Sequence, residues 1–234
     1  MYFFSIVSHR QSDLSYDLIN SLLSYKSVMV HYIENDPTST LIDIDDSSLI
    51  KHQNKNPKGF GENHNFAFRR LNLKNNDIFV ICNPDISYVD TEFKKFLLLE
   101  KTLSYELATL RIIDNNGKVE DNVREKLNII NIFKRLLFRE KYNYPCNNFW
   151  FAGMFLFCRS YVFKNLNGFD ESFFLYCEDT DICYRARVLH IDLIFHKDIS
   201  FIHSARRDSK RKLKYFFLHV KSLIKFWIKH GLFH

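Results

Sequence analysis

The sequence is poor in the residues that punctuate loops: six glycines and four prolines among 234 residues. That excludes collagen-like and low-complexity chains, and the few glycines invite a reason for each. No uncharged apolar run approaches the ~20 residues that span a bilayer. The opening "MYFFSIVSHR" turns polar too soon for a signal peptide and reads as a strand. The five cysteines (Cys82, Cys146, Cys158, Cys177, Cys183) are odd in number and lack CxxC spacing. A disulfide framework and a zinc site are thereby excluded, leaving reduced, buried thiols of a cytosolic protein. Acidic charge is missing from the end of the chain. From Arg206 to Lys229 nine Lys or Arg face the single Asp208, while the formal net charge is +6. The remainder is therefore slightly acidic, which argues against a general nucleic-acid binder and for a basic tail with an anionic partner.

What is present follows a strand–helix alternation. "FFSIVS" (3–8), "SVMVHYI" (27–33) and "DIFVIC" (77–82) are short apolar, β-rich runs. Between the first two, Leu14, Leu18, Ile19, Leu22 and Leu23 recur at helical spacing. A second helix is expected from about Glu62. This grammar predicts an α/β fold with a parallel sheet and crossover helices, whose ligands sit beyond the carboxyl ends of the strands. The polar stretches that start at Glu34, Lys58 and Asn83 fall at that edge. Further on, "ELATLRIID" (106–114) and "FWFAGMFLFCR" (149–159) read as strands, the latter as one run buried on both faces. A charged helical insertion is expected around Ile129 to Phe138, a short helix ending at Gly168, and a helix with an acidic first turn in "DTDICYRARVLH". No linker or repeat marks a domain boundary.

Four stretches carry chemistry. "NPDI" (83–86) is an ordinary turn former, or a carboxylate placed after a strand to hold a hard cation on a diphosphate. "KGFGENHN" (58–65) starts a helix whose N–H groups suit phosphate or a sugar hydroxyl; it lacks the spacing of a dinucleotide fingerprint or a P-loop. "DESFFLYCEDTD" (170–181) crowds carboxylates among aromatics. Desolvation and like charge raise a carboxylate's pKa while a helix N-terminus lowers it, which can leave a base competent near neutral pH. His203 is a structural histidine unless the fold brings it to Asp85, where imidazole could complete a metal shell. Finally, the tail places Leu213, Phe216, Phe217, Val220, Leu223, Ile224 and Trp227 on one stripe and Lys210, Lys214, Lys221 and Lys225 on another. Such a helix packs on the domain, lies on an anionic membrane, or does both.

Taken in this order, "SIVSHR", "KGFGENHN", "NPDI", "GFDESFFLYCEDTDICYRAR" and the following His203 resemble the family 2 glycosyltransferases, in particular their bacterial rhamnosyltransferase-like branch of O-antigen and capsule synthesis. The resemblance implies a GT-A fold: a Rossmann-like, mostly parallel sheet flanked by helices. It implies one domain over residues 1–205, with a nucleotide-sugar half (1–90) and an acceptor half (91–205), followed by a basic amphipathic helical tail (206–234). It implies inverting transfer from a nucleotide-sugar, L-rhamnose from dTDP-rhamnose being the first choice, with galactofuranose or another hexose, or a non-catalytic scaffold, as alternatives. Asp179 matches the catalytic base, with Glu178, Asp181 and Trp150 on the acceptor side. Glu34, Asp36, Lys58, Asn65, Asn83 and Asp85 match donor-binding positions. Asp85 and His203 match ligands of Mg2+ or Mn2+, with Asn83 standing where classical members carry an acid. The implied partners are a nucleotide-diphospho-sugar, a polyprenyl-diphosphate-linked acceptor and the inner face of the cytoplasmic membrane, with no nucleic acid.

Overall fold

A computed structural model of the chain describes residues 1–125, 149–204 and 213–231. The expected insertion around Ile129 to Phe138, Cys146 and the basic stretch 206–212 lie outside the described residues.

Strands β1 (Tyr2–Ser8), β2 (Val28–Glu34), β3 (Leu49–Gln53), β4 (Ile78–Cys82), β5 (Ile86–Ser87), β6 (Glu106–Ile113), β9 (Phe155–Arg159) and β10 (Asp192–His203) form one eight-stranded sheet in the order β3-β2-β1-β4-β9-β6-β10-β5. β7 (Val123–Glu125) and β8 (Phe149–Phe151) make a separate two-stranded ribbon. The helices are α1 (Ser12–Leu23), α2 (Phe60–Arg70), α3 (Asp90–Leu98), α4 (Ser160–Asn165), α5 (Glu178–Val188) and α6 (Leu213–His230). β3, β2, β1 and β4 run parallel; β9 runs against both of its neighbours, and β6 and β10 are parallel to each other. The mostly parallel α/β sheet expected from the sequence is present. The edge strand β3 had no signal in the sequence, since its Leu49–Gln53 run is polar and half exposed.

Continuous apolar strands are explained by cover on both faces. Tyr2, Phe4 and Ile6 point to a core shared with Leu18, Leu22, Phe93, Phe96, Phe155 and Phe201. Phe3, Phe79, Ile81 and Leu156 point the other way, against Phe163, Phe169, Ile182 and Ala186. The phenylalanine excess is spent here. Phe96 alone meets the rings of Tyr2, Phe155, Phe157 and Phe201 at centroid distances of 5.0, 5.6, 5.1 and 5.8 Å.

The run 149–159 is not one strand, contrary to expectation. It breaks at Ala152–Met154, where the chain leaves the ribbon and enters the main sheet. Gly153 permits the break: a Cβ there would meet the Phe60 ring at 3.1 Å and the Asp179 Cβ at 3.6 Å. This bend organises the site.

Candidate active site

Strand order and register bring the polar stretches to one edge. Ser8 lies opposite Glu34, and Ile6 opposite Cys82, so the residues after β2, β1 and β4 emerge side by side. From there a chain of contacts runs along the edge. The Asn35 side chain clamps the Lys58 backbone, its Nδ2 donating to Lys58 O (2.9 Å) and its Oδ1 accepting from Lys58 N (2.8 Å). Phe60 N donates to Phe174 O (2.9 Å) at the start of α2, tying the glycine-rich loop to the acidic stretch. At the bend, Gly153 N donates to Asp179 Oδ2 (3.0 Å), and Met154 O accepts from Asn83 N (2.9 Å). The base candidate and the NPDI turn thus share adjacent residues of one bend. No spacing in the sequence announced that role for Gly153.

Asp179 sits in the first turn of α5, half-buried, its Oδ1 accepting the Thr180 N–H at 2.8 Å. Burial raises its pKa; Arg124 and the Gly153 and Thr180 N–H groups pull the other way. Glu178 is buried, its Oε2 lacking a hydrogen-bond partner among the described residues, and burial, then Asp179, push its carboxyl well above the ordinary range. The two residues before the helix, Tyr176 and Cys177, both adopt left-handed backbone (φ 72° and 66°). Such conformations cost about 1–3 kcal/mol each and collect at functional sites. They lead into the first turn of α5, from which Asp179 reaches the bend.

Asp181 is placed differently from its neighbours. Its fully buried carboxylate accepts from Arg185 Nε (2.7 Å), Lys229 Nζ (2.6 Å) and His230 Nε2 (2.7 Å). It fastens α6 to α5, and its side chain, 0% exposed, is closed to an outside molecule. Trp150 is also buried: its indole N–H donates to Glu125 O (2.8 Å) and the Arg124 guanidinium lies 5.1 Å from its ring. Its work is to hold the ribbon that presents Arg124 near Asp179.

Of the residues expected to bind a donor, Glu34 is buried, accepting from Ser8 Oγ (2.9 Å), Tyr32 OH (2.9 Å) and Asp36 N (3.0 Å). Asp36 accepts from Thr38 N and Oγ1 (2.8 and 2.6 Å) and pairs with Arg10. The Thr38 hydrogen bonds lead in lowering its pKa to about 2. Both acids shape the loop rather than face outward; Arg10, with φ 62°, is the exposed group there. Lys58 pairs with Glu62 at 3.0 Å. Asn65 braces the 169–171 turn, donating to Phe169 O (2.8 Å) and Glu171 Oε1 (3.0 Å) and accepting from Phe169 N (2.9 Å). Asn83, half-buried, uses its backbone at the bend.

The fold does bring His203 to Asp85. β10 pairs antiparallel with β5, Ser204 N donates to Asp85 O (2.9 Å), and His203 Nε2 lies 3.2 Å from Asp85 Oδ1. His203 Nδ1 lies 2.7 Å from Glu120 Oε2, a partner to which no motif or spacing points. Burial lowers the His203 pKa, but the two carboxylates outweigh it and the net shift is upward. Among the described residues Asp85 Oδ1 is buried without an aligned hydrogen bond, an orphaned anionic oxygen that suits a cation. Among the described residues no three His, Cys, Asp or Glu side chains could form a metal cage. The orphaned Asp85 oxygen and the His203 ring nitrogen beside it are donors of a kind that fits Mg2+ or Mn2+ as part of a larger ligand set.

The tail helix α6 covers the acidic stretch. Phe226, with Leu223 and Trp227, packs on Phe173 and Cys177, and Ser222 Oγ donates to Leu175 O (2.8 Å). Its apolar stripe is split, however: Phe216, Phe217, Ile224 and Ile228 remain 63%, 66%, 50% and 82% exposed. Among the described residues no helix is long and apolar enough to cross a membrane.

No known protein-family profile matches the chain. It is 27% identical over 183 residues to the rhamnosyltransferase WbbL of Escherichia coli, covering 72% of this chain and 69% of that protein. It is 23% identical over 158 residues to the low-salt glycan biosynthesis hexosyltransferase Agl10 of Haloferax volcanii, covering 65% of this chain and 51% of the relative. The crystal structure of residues 1–349 of S. aureus TarS with UDP-GlcNAc superposes with a TM-score of 0.63 at 11% identity, over 97% of this chain and 66% of that one. GalNAc-T7 with UDP, GalNAc and Mn2+ superposes with a TM-score of 0.66 at 13% identity, over 89% of this chain and 44% of that one. The chain thus spans about half the length of the hexosyltransferase and less than half of GalNAc-T7. With the sheet order, the bend and these likenesses in place, the chain carries the GT-A fold of these glycosyltransferases and is similar in sequence to a rhamnosyltransferase and a hexosyltransferase.

Proposed function

We propose that this chain transfers a sugar from a nucleoside-diphosphate sugar to a hydroxyl of a lipid-linked or oligosaccharide acceptor, inverting the anomeric carbon. The observation that carries the reading is the bend at 152–154, which holds the Asp179 carboxylate and the NPDI turn one residue apart. Asp179 takes the acceptor's proton as its oxygen attacks the anomeric carbon, and the nucleoside diphosphate leaves from the opposite face. A raised pKa makes that carboxylate a stronger base, and the N–H groups of Gly153 and Thr180 fix its direction. Burial and then the neighbouring Asp179 favour the protonated form of Glu178, which lessens the repulsion between the two acids. A divalent cation on Asp85 and His203 would neutralise charge on the leaving diphosphate. Direct displacement needs no carboxylate nucleophile, unlike retaining hydrolysis.

The donor proposed is dTDP-L-rhamnose, supported by the likeness to WbbL; another hexose is the second reading, supported by Agl10. Residues 1–90 form the donor half and 91–205 the acceptor half in this reading. The outward Phe216, Phe217, Ile224 and Ile228 of α6, in a segment rich in lysine, fit an anionic lipid surface that carries a polyprenyl-diphosphate acceptor. The donor is tested by incubating the protein with dTDP-rhamnose, UDP-galactofuranose, UDP-glucose, UDP-galactose and GDP-mannose, each with and without Mn2+. Slow hydrolysis of dTDP-rhamnose above the others, lost in Asp85→Ala, supports the assignment. Preference for a different donor replaces rhamnose, and silence with all five removes the reading.

A further inference from the structure

Asp85 and His203 are assigned to the cation by the reading above; Glu120 is assigned to nothing. It sits on the hairpin between β6 and β7, its side chain only 16% exposed. Its backbone is pinned, with Glu120 N donating to Ile112 O (2.8 Å) and Glu120 O accepting from Asn122 N (3.0 Å). Asn122 is itself buried and donates from Nδ2 to Leu110 O (2.8 Å). The hairpin turn is closed by Asp114 Oδ1, which accepts from Asn116 N and Lys118 N, both at 2.9 Å. A carboxylate on so fixed a mount, 2.7 Å from His203 Nδ1, decides how that ring faces.

We propose that Glu120 is the positioning residue of the cation edge: it holds the proton on His203 Nδ1 and turns the Nε2 lone pair toward Asp85. Metal-bound histidines characteristically donate their second ring N–H to such a carboxylate, which fixes tautomer and ring orientation. The 3.2 Å between His203 Nε2 and Asp85 Oδ1 is close to the separation of about 3.0 Å that adjacent ligands of an octahedral Mg2+ or Mn2+ adopt. Asn83 supplies no charge of its own, so the imidazole is the second protein ligand, and its orientation matters correspondingly more. The inference rests on the donor-site reading, and both can be tested in one series.

The probe is Mn2+, titrated into the full chain in saturating UDP or dTDP and followed by the electron paramagnetic resonance of free Mn2+. Glu120→Ala is expected to weaken Mn2+ binding by about 10–100-fold. Glu120→Gln, whose Oε1 still accepts from Nδ1–H, recovers most of that affinity. Nucleotide binding without metal stays the same in all three. A purely structural Glu120 would lower the unfolding midpoint of Glu120→Ala and leave Mn2+ affinity intact, which overturns the proposal; so does a Gln variant as weak as Ala. Should Glu120→Ala fail to fold, the Gln variant decides, with wild-type-like affinity expected. A wild type that hydrolyses a donor sugar yet binds no Mn2+ overturns the inference and leaves the transferase reading standing. A wild type that does neither overturns both.

Discussion

At the scale of single residues, the buried acids differ in how fully they are compensated. Asp181 has three cationic or imidazole partners and Glu34 a full set of donors, whereas among the described residues Glu178 Oε2 and Asp85 Oδ1 have none aligned. The sign of the pH dependence follows. Glu178 has a folded pKa above its ordinary 4.5, so the folded state holds the extra proton. Its contribution favours folding at low pH and is lost as pH rises beyond about 4.5. Glu178→Gln should therefore raise the thermal unfolding midpoint relative to wild type at about pH 8, the gain shrinking toward pH 4.5, as scanning calorimetry would show. Asp36 acts in the opposite sense, stabilising above its ordinary 3.8 and losing that contribution as pH falls toward 2. Gly168 combines a left-handed backbone (φ 63°) with Asn65 Oδ1 where a Cβ would go. Gly168→Ala should cost more than about 1 kcal/mol in a denaturant titration. Asp85, Asp179 and His203 could be picked from the sequence because each follows or begins a recognisable element. Glu120 and Arg124 could not, because their roles arise from a hairpin and a ribbon that pair far from them in sequence.

At the scale of elements, strands covered on both faces were legible and boundaries at the site were not. The apolar run 149–159 gives no periodicity by which to see two strands; what divides it is Gly153, which must fit beneath Phe60 and beside Asp179. The polar edge strand β3 was invisible for the opposite reason, since backbone pairing with β2 rather than an apolar face defines it. The tail's apolar stripe was legible as a stripe, yet the structure divides it between the domain and the outside. Its anchor is Asp181. Breaking a buried charge network by removing one partner typically costs about 3–5 kcal/mol. Asp181→Ala should therefore speed amide hydrogen exchange along α6 well beyond any change in β1, β2 and β4. Equal protection of α6 in the variant would show that Phe226 and its neighbours suffice.

At the scale of the whole molecule, charge and chemistry are segregated. The excess of basic charge lies in the tail, while Glu34, Asp36, Asp85 and Asp179 lie along the edge to which β1, β2, β4 and β10 lead. α6 lies over the 170–176 stretch that leads into the helix bearing Asp179, so in the proposed function a surface that takes its outer face would bring an acceptor close to that residue. Ile224→Glu combined with Ile228→Glu should reduce co-sedimentation with anionic vesicles and leave donor hydrolysis in solution unchanged. Unaltered co-sedimentation would remove the membrane from the account. The most direct measurement compares donor turnover and donor binding in wild type and Asp179→Asn. Loss of about 10²–10⁴-fold in turnover with an unchanged donor dissociation constant is the result expected of a general base. Turnover that survives the substitution would contradict the assignment of Asp179, and with it the reading of the bend as an active site.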